Sequence, residues 1–169
     1  MKPAFVLSKW YADVVTGDGG AAIVYSAQLE WRALRIHYSN LLEFRAGCTP
    51  ANRYSLRRQA APAERGESVE WSSRALGASG RWRRAVAARE ITLYECEAGR
   101  LEWRCLAPRA EAEVRTATLR SGWGYVEHLR LTVPPWRLPI RTSCAARRGH
   151  RATGCSAHRS PSEPISSWV

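Results

Sequence analysis

The sequence predicts an all-β fold, an antiparallel barrel or sandwich over residues 5–140 that is followed by a disordered tail. Short extended runs recur at intervals of roughly 8 to 12 residues, which is the usual spacing of all-β domains. Turn-forming residues separate these runs, and one run alternates between apolar and polar side chains. At 169 residues the chain is long enough for one domain with a hydrophobic core.

The first predicted elements are a hairpin and a third strand. Residues 10–15 and 21–31 have strand composition, and the glycines of residues 17–20 tolerate the positive φ of a tight turn. The third strand alternates with a period of two, so its apolar row is expected on the core and its polar row toward solvent or a lumen. The apolar row is Leu34, Ile36 and Tyr38, and the polar row is Arg35, His37 and Ser39.

The alternation of apolar and polar residues is weaker in the middle of the chain. Residues 46–68 show no sustained period and are predicted to form a loop. A strand resumes at residues 69–71, and the glycines of residues 76–82 indicate a bent strand or bulge. Residues 85–89 are predicted to add one helical turn.

A second hairpin and two more strands complete the predicted series. Residues 91–95 and 101–105 are extended and flank a turn at residues 97–99. Residues 110–114 and 124–132 continue the same pattern.

The chain is strongly basic. Its formal net charge is +11 and its pI is near 10.2, values that favour polyanionic partners. Apart from Lys2 and Lys9 the basic residues are arginines, and abundant Arg and Ala are typical of a GC-rich coding sequence. An arginine-rich nucleic-acid-binding module is therefore only an alternative, based on the run Arg81–Arg84 with its central Trp82.

The cysteines and the apolar runs favour a cytoplasmic protein without a transmembrane segment. The five cysteines are odd in number and irregularly spaced, unlike a secreted disulfide framework. No run approaches the roughly 20 apolar residues that a spanning helix needs. Residues 1–9 are too short for the apolar region of a signal peptide.

Residues 141–169 differ in composition from the rest of the chain. They are rich in Arg, Ser, Ala, Cys and His, and they show no period. Ordinary disordered segments favour Glu and Lys over Cys. We interpret these residues as an irregular basic tail that derives from a frameshift in a GC-rich gene.

Two segments resemble a known family. They are residues 7–13, Leu-Ser-Lys-Trp-Tyr-Ala-Asp, and residues 122–140, which begin Gly-Trp-Gly-Tyr-Val-Glu-His and end Pro-Trp-Arg-Leu-Pro-Ile. Through them the chain resembles bacterial relatives of the carotenoid 1,2-hydratase (hydroxyneurosporene synthase) and AttH-like group. The resemblance covers most of residues 5–140.

The resemblance implies a calycin/lipocalin-like domain that binds an apolar, isoprenoid or lipid-like molecule. Members of the group look like two such domains in one chain, so this chain is expected to be a truncated N-terminal half that lacks a C-terminal β domain. Some members add water across a terminal isoprenoid double bond, which implies a hydratase (lyase) if the chain is an enzyme. A non-catalytic carrier of the same fold is the alternative.

Asp13 and Glu127 are the candidate catalytic residues. Hydration of an alkene needs an acid that protonates carbon and a base or positioned water that completes the addition, in a dry site. Both carboxylates lie in aromatic-rich strands, and aromatic faces stabilise a developing carbocation. The hydratases have Asp at the position of Glu127 and Asn-Trp where this chain has Leu129-Arg130. The alternative is that both carboxylates face solvent and pair with nearby arginines.

Aromatic residues in the same segments are predicted to contact the ligand, because their rings combine apolar surface with a polar atom. His128 follows Glu127 directly, so in a strand the two side chains point to opposite faces. The predicted ligand-binding residues are Trp10, Tyr11, Trp31, Tyr125, His128 and Trp136.

No metal and no cofactor are expected. Cys144, His150, Cys155 and His158 are residue types that bind zinc, but their spacing is poor for a zinc site. A phosphate-binding Gly-rich loop is also lacking, because no Lys and Ser or Thr follow the glycines of residues 17–20.

Overall fold

Ten β-strands and one short 3-10 turn make up the described part of the chain in the computed structural model, which covers residues 4–138. All strand pairs are antiparallel, so the predicted all-β antiparallel class is confirmed. The predicted domain boundary at residue 140 and the predicted tail lie outside the described residues. The strands are β1 (Phe5–Thr16), β2 (Ala21–Trp31), β3 (Leu34–Phe44), β4 (Ala51–Ser55), β5 (Ala63–Arg65), β6 (Ser68–Ser73), β7 (Ala78–Arg84), β8 (Arg89–Cys96), β9 (Gly99–Arg115) and β10 (Leu119–Leu131), and the turn is Pro135–Arg137.

The strands form one sheet that does not close into a barrel. Its order is β4-β3-β2-β1-β10-β9-β7-β6-β5, and β8 pairs with β9 beside this path. The first half of β9 pairs with β8 and its second half with β7, so one strand of 17 residues replaces the two predicted at residues 101–105 and 110–114. Arg53 on β4 donates from Nη1 to the Leu76 carbonyl at 2.8 Å, which ties the β4 edge to the loop before β7.

The main core lies where β6 and β7 pack against the face of the sheet formed by β1, β2, β3, β9 and β10. Trp82 on β7 is fully buried there, and its indole Nε1 donates to the Asp13 backbone carbonyl at 2.6 Å. Side chains alternate between the two faces of a strand. We call the face that carries Ala12 and Val14 the core face, and the face that carries Tyr11 and Asp13 the outer face.

A second apolar cluster lies toward the other end of the central strands. Phe5, Leu131 and Val133 are its buried members. Leu7 and Leu29 pack against them and are paired across β1 and β2. The apolar surface of the sheet therefore changes sides along its length, from the core face at one end to the outer face at the other.

The predicted alternation in β3 is present, but its predicted orientation is wrong. Ser39 is fully buried and shares its face with the core residue Leu41, while the predicted core row is exposed. The pairing of β3 with β2 sets this orientation, and the local pattern of side chains does not reveal that pairing. The exposed residues are Leu34, Ile36 and Tyr38.

The prediction of a loop over residues 46–68 is also wrong, because β4 and β5 lie within it. β4 pairs on one side only, with β3, and all of its residues except Ser55 are exposed. β5 has three residues. Neither strand has a buried face, so no alternating pattern marks them in the sequence.

Of the two alternatives predicted for residues 76–82, a bent strand or a bulge, the bulge is not formed. β6 and β7 pair without a register shift, and Gly77 has a φ of 61° in the turn before β7. Gly80 leaves room for the ring of Trp82, because a Cβ at this position would collide with that ring. The helical turn predicted at residues 85–89 is absent from the described structure.

Candidate functional site

The predicted catalytic pair, Asp13 and Glu127, lies on the outer face of two adjacent strands. β1 and β10 pair so that Tyr11 is opposite Glu127 and Asp13 is opposite Tyr125. Residues two positions apart point to the same face of a strand, so the four side chains form one cluster. The sequence indicated these four residues separately, and the pairing of the first strand with the last brings them together.

Two hydrogen bonds hold the Asp13 carboxyl. The Tyr11 hydroxyl donates to Oδ2 at 3.1 Å, and the Tyr125 backbone N–H donates to Oδ1 at 2.9 Å. Burial raises the pKa of Asp13 above its usual value, and the two hydrogen bonds partly oppose this shift. A carboxyl group that keeps its proton to a higher pH is better suited to act as a general acid.

Glu127 receives two hydrogen bonds on one of its oxygens. The Tyr125 hydroxyl and the Trp103 indole Nε1 each donate to Oε2 at 2.8 Å. The other oxygen, Oε1, accepts no hydrogen bond from residues 4–138. Glu127 is therefore fixed in place and keeps one oxygen with which it can accept a proton.

Tyrosine rings surround the two carboxyl groups. The ring centroid of Tyr11 lies 5.9 Å from that of Tyr25 and 6.3 Å from that of Tyr125. Burial, and then the charge of Asp13, raise the pKa of Tyr11 to about 12. Burial, and then the hydrogen bond to Glu127, also raise the pKa of Tyr125. Both phenols therefore remain neutral hydrogen-bond donors at physiological pH.

Lys9 follows the cluster on the outer face of β1, with its Nζ 5.4 Å from the centroid of the Tyr25 ring, and an apolar strip begins beyond it. It passes Leu7 and Leu29 and ends at Trp31 and Trp136, whose ring centroids are 5.7 Å apart. Trp31 is 40% exposed and Trp136 is 65% exposed. Asp13 lies eight positions along β1 from the first residue of the strand, Phe5, which corresponds to about 26 Å at a rise of about 3.3 Å per residue. Part of this strip is packed within the second apolar cluster, and the rest is exposed in the way that is typical of a binding surface. Its exposed side chains are Trp31, Leu34, Ile36, Tyr38 and Trp136.

Two predicted ligand-binding residues lie on the core face instead, on the other side of the sheet from the carboxyl groups. The rings of Trp10 and His128 stack with centroids 4.3 Å apart and planes 6° apart. Burial, and then the charges of Arg104 and Arg130, lower the pKa of His128 to about 4. The prediction that Glu127 and His128 point to opposite faces is confirmed.

The structure adds residues to the cluster that the sequence did not indicate. Trp103 donates to Glu127, and Cys105 lies directly opposite Glu127 on β9. Burial raises the pKa of the Cys105 thiol. Both residues belong to a predicted strand, but only the pairing of β9 with β10 shows that this strand borders the site.

Comparison with protein-family models, curated proteins and solved structures finds no match to this chain. Its function therefore has to be argued from the chemistry of the site. Among residues 4–138, no helix has the length and apolar character needed to cross a membrane. The same residues contain no group of three His, Cys, Asp or Glu side chains arranged to hold a metal ion. The Cys and His residues after position 141 lie outside the described range.

Proposed function

We propose that the protein binds an apolar, isoprenoid or lipid-like molecule along the outer face, with Asp13 and Glu127 at one end of the bound chain. One observation carries this proposal. A half-buried carboxyl group with a raised pKa and a second carboxyl group with an open oxygen lie together at the end of an apolar strip. Burial of apolar ligand surface favours binding, so a strip of this length suits a long apolar chain.

The two carboxyl groups suit the addition of water to a double bond at the end of such a chain. Asp13 donates its proton to the terminal carbon, and the π electrons of the double bond form the new C–H bond. The neighbouring carbon becomes cationic, and the faces of Tyr11 and Tyr125 stabilise it. Glu127 takes a proton from a water molecule as the water oxygen bonds to the cation. Asp13 ends ionised and Glu127 ends protonated, and proton exchange with solvent restores both.

Binding is tested first by titration of the protein with a long-chain isoprenoid alcohol, followed by tryptophan fluorescence. We expect Ile36→Glu to weaken binding at least tenfold, because Ile36 is opposite Leu29 on the outer face and is 43% exposed. Val86→Glu is the matched control, since Val86 is 47% exposed in the loop between β7 and β8. Equal affinity in the two variants would argue against the outer face as the binding surface.

Variants of the two carboxyl groups distinguish an enzyme from a carrier. Asp13→Asn and Glu127→Gln are expected to abolish hydration of an isoprenoid alkene and to leave binding of the alcohol within about threefold. Product formation is measured by mass spectrometry as a gain of one water. Tight binding without turnover in the wild type would identify the protein as a carrier.

The nucleic-acid alternative is not favoured by the arrangement of the arginines around Trp82. All three arginines of the run form ion pairs with glutamates on β5, β6 and β9, which reduces the charge available to phosphates. Trp82 itself is fully buried and cannot stack with a base. The ion pairs are Arg81–Glu70, Arg83–Glu111 and Arg84–Glu64.

A further inference from the structure

A polar cavity lies on the core face of β2 and β3, beneath the segment that connects β4 to β5. Its volume is about 860 Å³, which is sufficient for a small organic molecule. Two hydrogen bonds hold the connecting segment over the strands: Gln28 donates to the Gln59 carbonyl at 3.4 Å, and Gln59 donates to Ser26 at 3.5 Å. The polar residues of its wall are Gln28, Glu30, Arg35, His37, Arg58 and Gln59.

The charges of this cavity favour an anion. Arg35 and Arg58 supply two guanidinium groups, and Glu30 is the acidic residue of the wall. Glu30 pairs with Arg35 at 3.9 Å, which is too long for a hydrogen bond, so Arg35 can still donate hydrogen bonds to a ligand carboxylate. Arg58 makes no ion pair and no hydrogen bond with the described residues. Two guanidinium groups on one cavity match the two carboxylates of a dicarboxylate, since each group binds carboxylate oxygens in a planar, paired geometry.

Two further side chains of the wall have an unused hydrogen-bonding atom. His37 Nδ1 and Gln59 Oε1 are buried and have no hydrogen-bond partner within residues 4–138. Buried polar atoms are nearly always paired in folded proteins, so two orphan atoms in one wall are unusual. Both residues line the cavity, so a ligand that enters it can supply the missing partners, a hydroxyl group for Gln59 Oε1 and an oxygen atom for His37 Nδ1.

We propose that this cavity is a second binding site, independent of the outer face, that takes a small hydroxylated dicarboxylate. The carboxylates bind Arg58 and Arg35, and the hydroxyl group binds Gln59. The formal net charge of the chain, +11, also favours the approach of such anions.

Malate and succinate test the proposal, because they differ by a single hydroxyl group and carry the same two carboxylates. Each is titrated into the full chain by isothermal titration calorimetry at neutral pH and moderate salt. We expect saturable binding of one malate per chain, with succinate bound at least fivefold more weakly. Equal affinity for the two would overturn the assignment of a hydroxylated ligand, and no saturable binding of malate would overturn the site.

Neighbouring arginines provide a matched control for charge. Arg58→Gln is expected to weaken malate binding at least tenfold, whereas Arg57→Gln removes the same charge from a residue that does not line the cavity and is expected to change it less than twofold. An equal loss in both variants would show that malate follows the net charge, which contradicts the proposal. Both arginines are exposed, so unchanged urea midpoints are expected to verify the fold of each variant.

The isoprenoid titration separates this site from the outer face. Arg58→Gln is expected to bind the isoprenoid alcohol as the wild type does, and Ile36→Glu is expected to bind malate as the wild type does. If one of the two ligands does not bind, the titration with the other ligand still tests its own site independently.

Discussion

Replacement of Trp82 by Phe tests the packing that supports the site from the core side. Trp82 is fully buried, and its indole Nε1 donates to the backbone carbonyl of Asp13. This hydrogen bond links β7 directly to the strand that carries the candidate acid. Phe keeps an aromatic ring at the position and removes both the donor and the second ring of the indole.

Two losses set the expected change in the free energy of unfolding. The missing hydrogen bond to a buried carbonyl costs about 1–2 kcal/mol. The space left by the smaller ring costs about 1–2 kcal/mol more, because a close-packed core fills such space only in part. The total of about 2–4 kcal/mol is a large part of the roughly 5–15 kcal/mol that stabilises an ordinary domain.

Urea unfolding followed by far-UV circular dichroism measures this loss without relying on tryptophan emission. With a slope of about 2 kcal/mol per molar urea, the midpoint of Trp82→Phe is expected to fall by about 1–2 M. Trp136→Phe is the control, because Trp136 is 65% exposed and its replacement is expected to cost less than about 0.5 kcal/mol. Equal midpoints for the two variants would refute the described burial and bonding of Trp82.

Three further predictions concern stability. Gly80→Ala is expected to lower the urea midpoint by the equivalent of about 1–3 kcal/mol, because its Cβ would collide with the Trp82 ring, whereas Gly17→Ala, with open space around it, should cost far less. The pKa of His128 is about 4 against a usual 6.5, so its contribution to the free energy of unfolding is complete above pH 6.5 and is lost as the pH falls toward 4. The urea midpoint of His128→Phe should therefore decline less steeply than that of the wild type between these pH values. An unchanged pH profile would contradict the buried neutral ring. The pKa of Asp13 is raised, so its contribution to the free energy of unfolding is complete below the usual carboxyl value of 3.8 and is lost as the pH rises through the raised value. The urea midpoint of Asp13→Asn, measured relative to that of the wild type, should therefore rise with pH over that range. A fall in this relative midpoint would exclude the assigned shift.

Local signals in the sequence were sufficient for the class of fold and for several members of the site. The glycines of residues 17–20 and the turn at residues 97–99 correctly marked two hairpins. The aromatic context of Asp13 and Glu127 selected two carboxyl groups that the structure places on one face of paired strands. Strict alternation also established that His128 would point away from Glu127.

Other features of the fold and of the site could not be predicted from short stretches of the sequence. β4 has no buried face, so its composition is that of a loop. Trp103 belongs to a strand that the sequence predicted, but its bond to Glu127 depends on the pairing of β9 with β10. The cavity near Gln59 forms only because a connecting segment folds over strands some thirty residues earlier in the chain.

The sequence by itself determined that the chain forms antiparallel strands, where several of its turns lie, and which neighbouring residues share a face. These properties depend on backbone preferences and on an alternation that spans a few residues. The tertiary structure decided which face of β3 is buried, which aromatic residues surround the carboxyl groups, and on which side of the sheet Trp10 and His128 lie. Those features depend on the pairing of strands far apart in the chain, and the alternation within one strand does not contain that pairing.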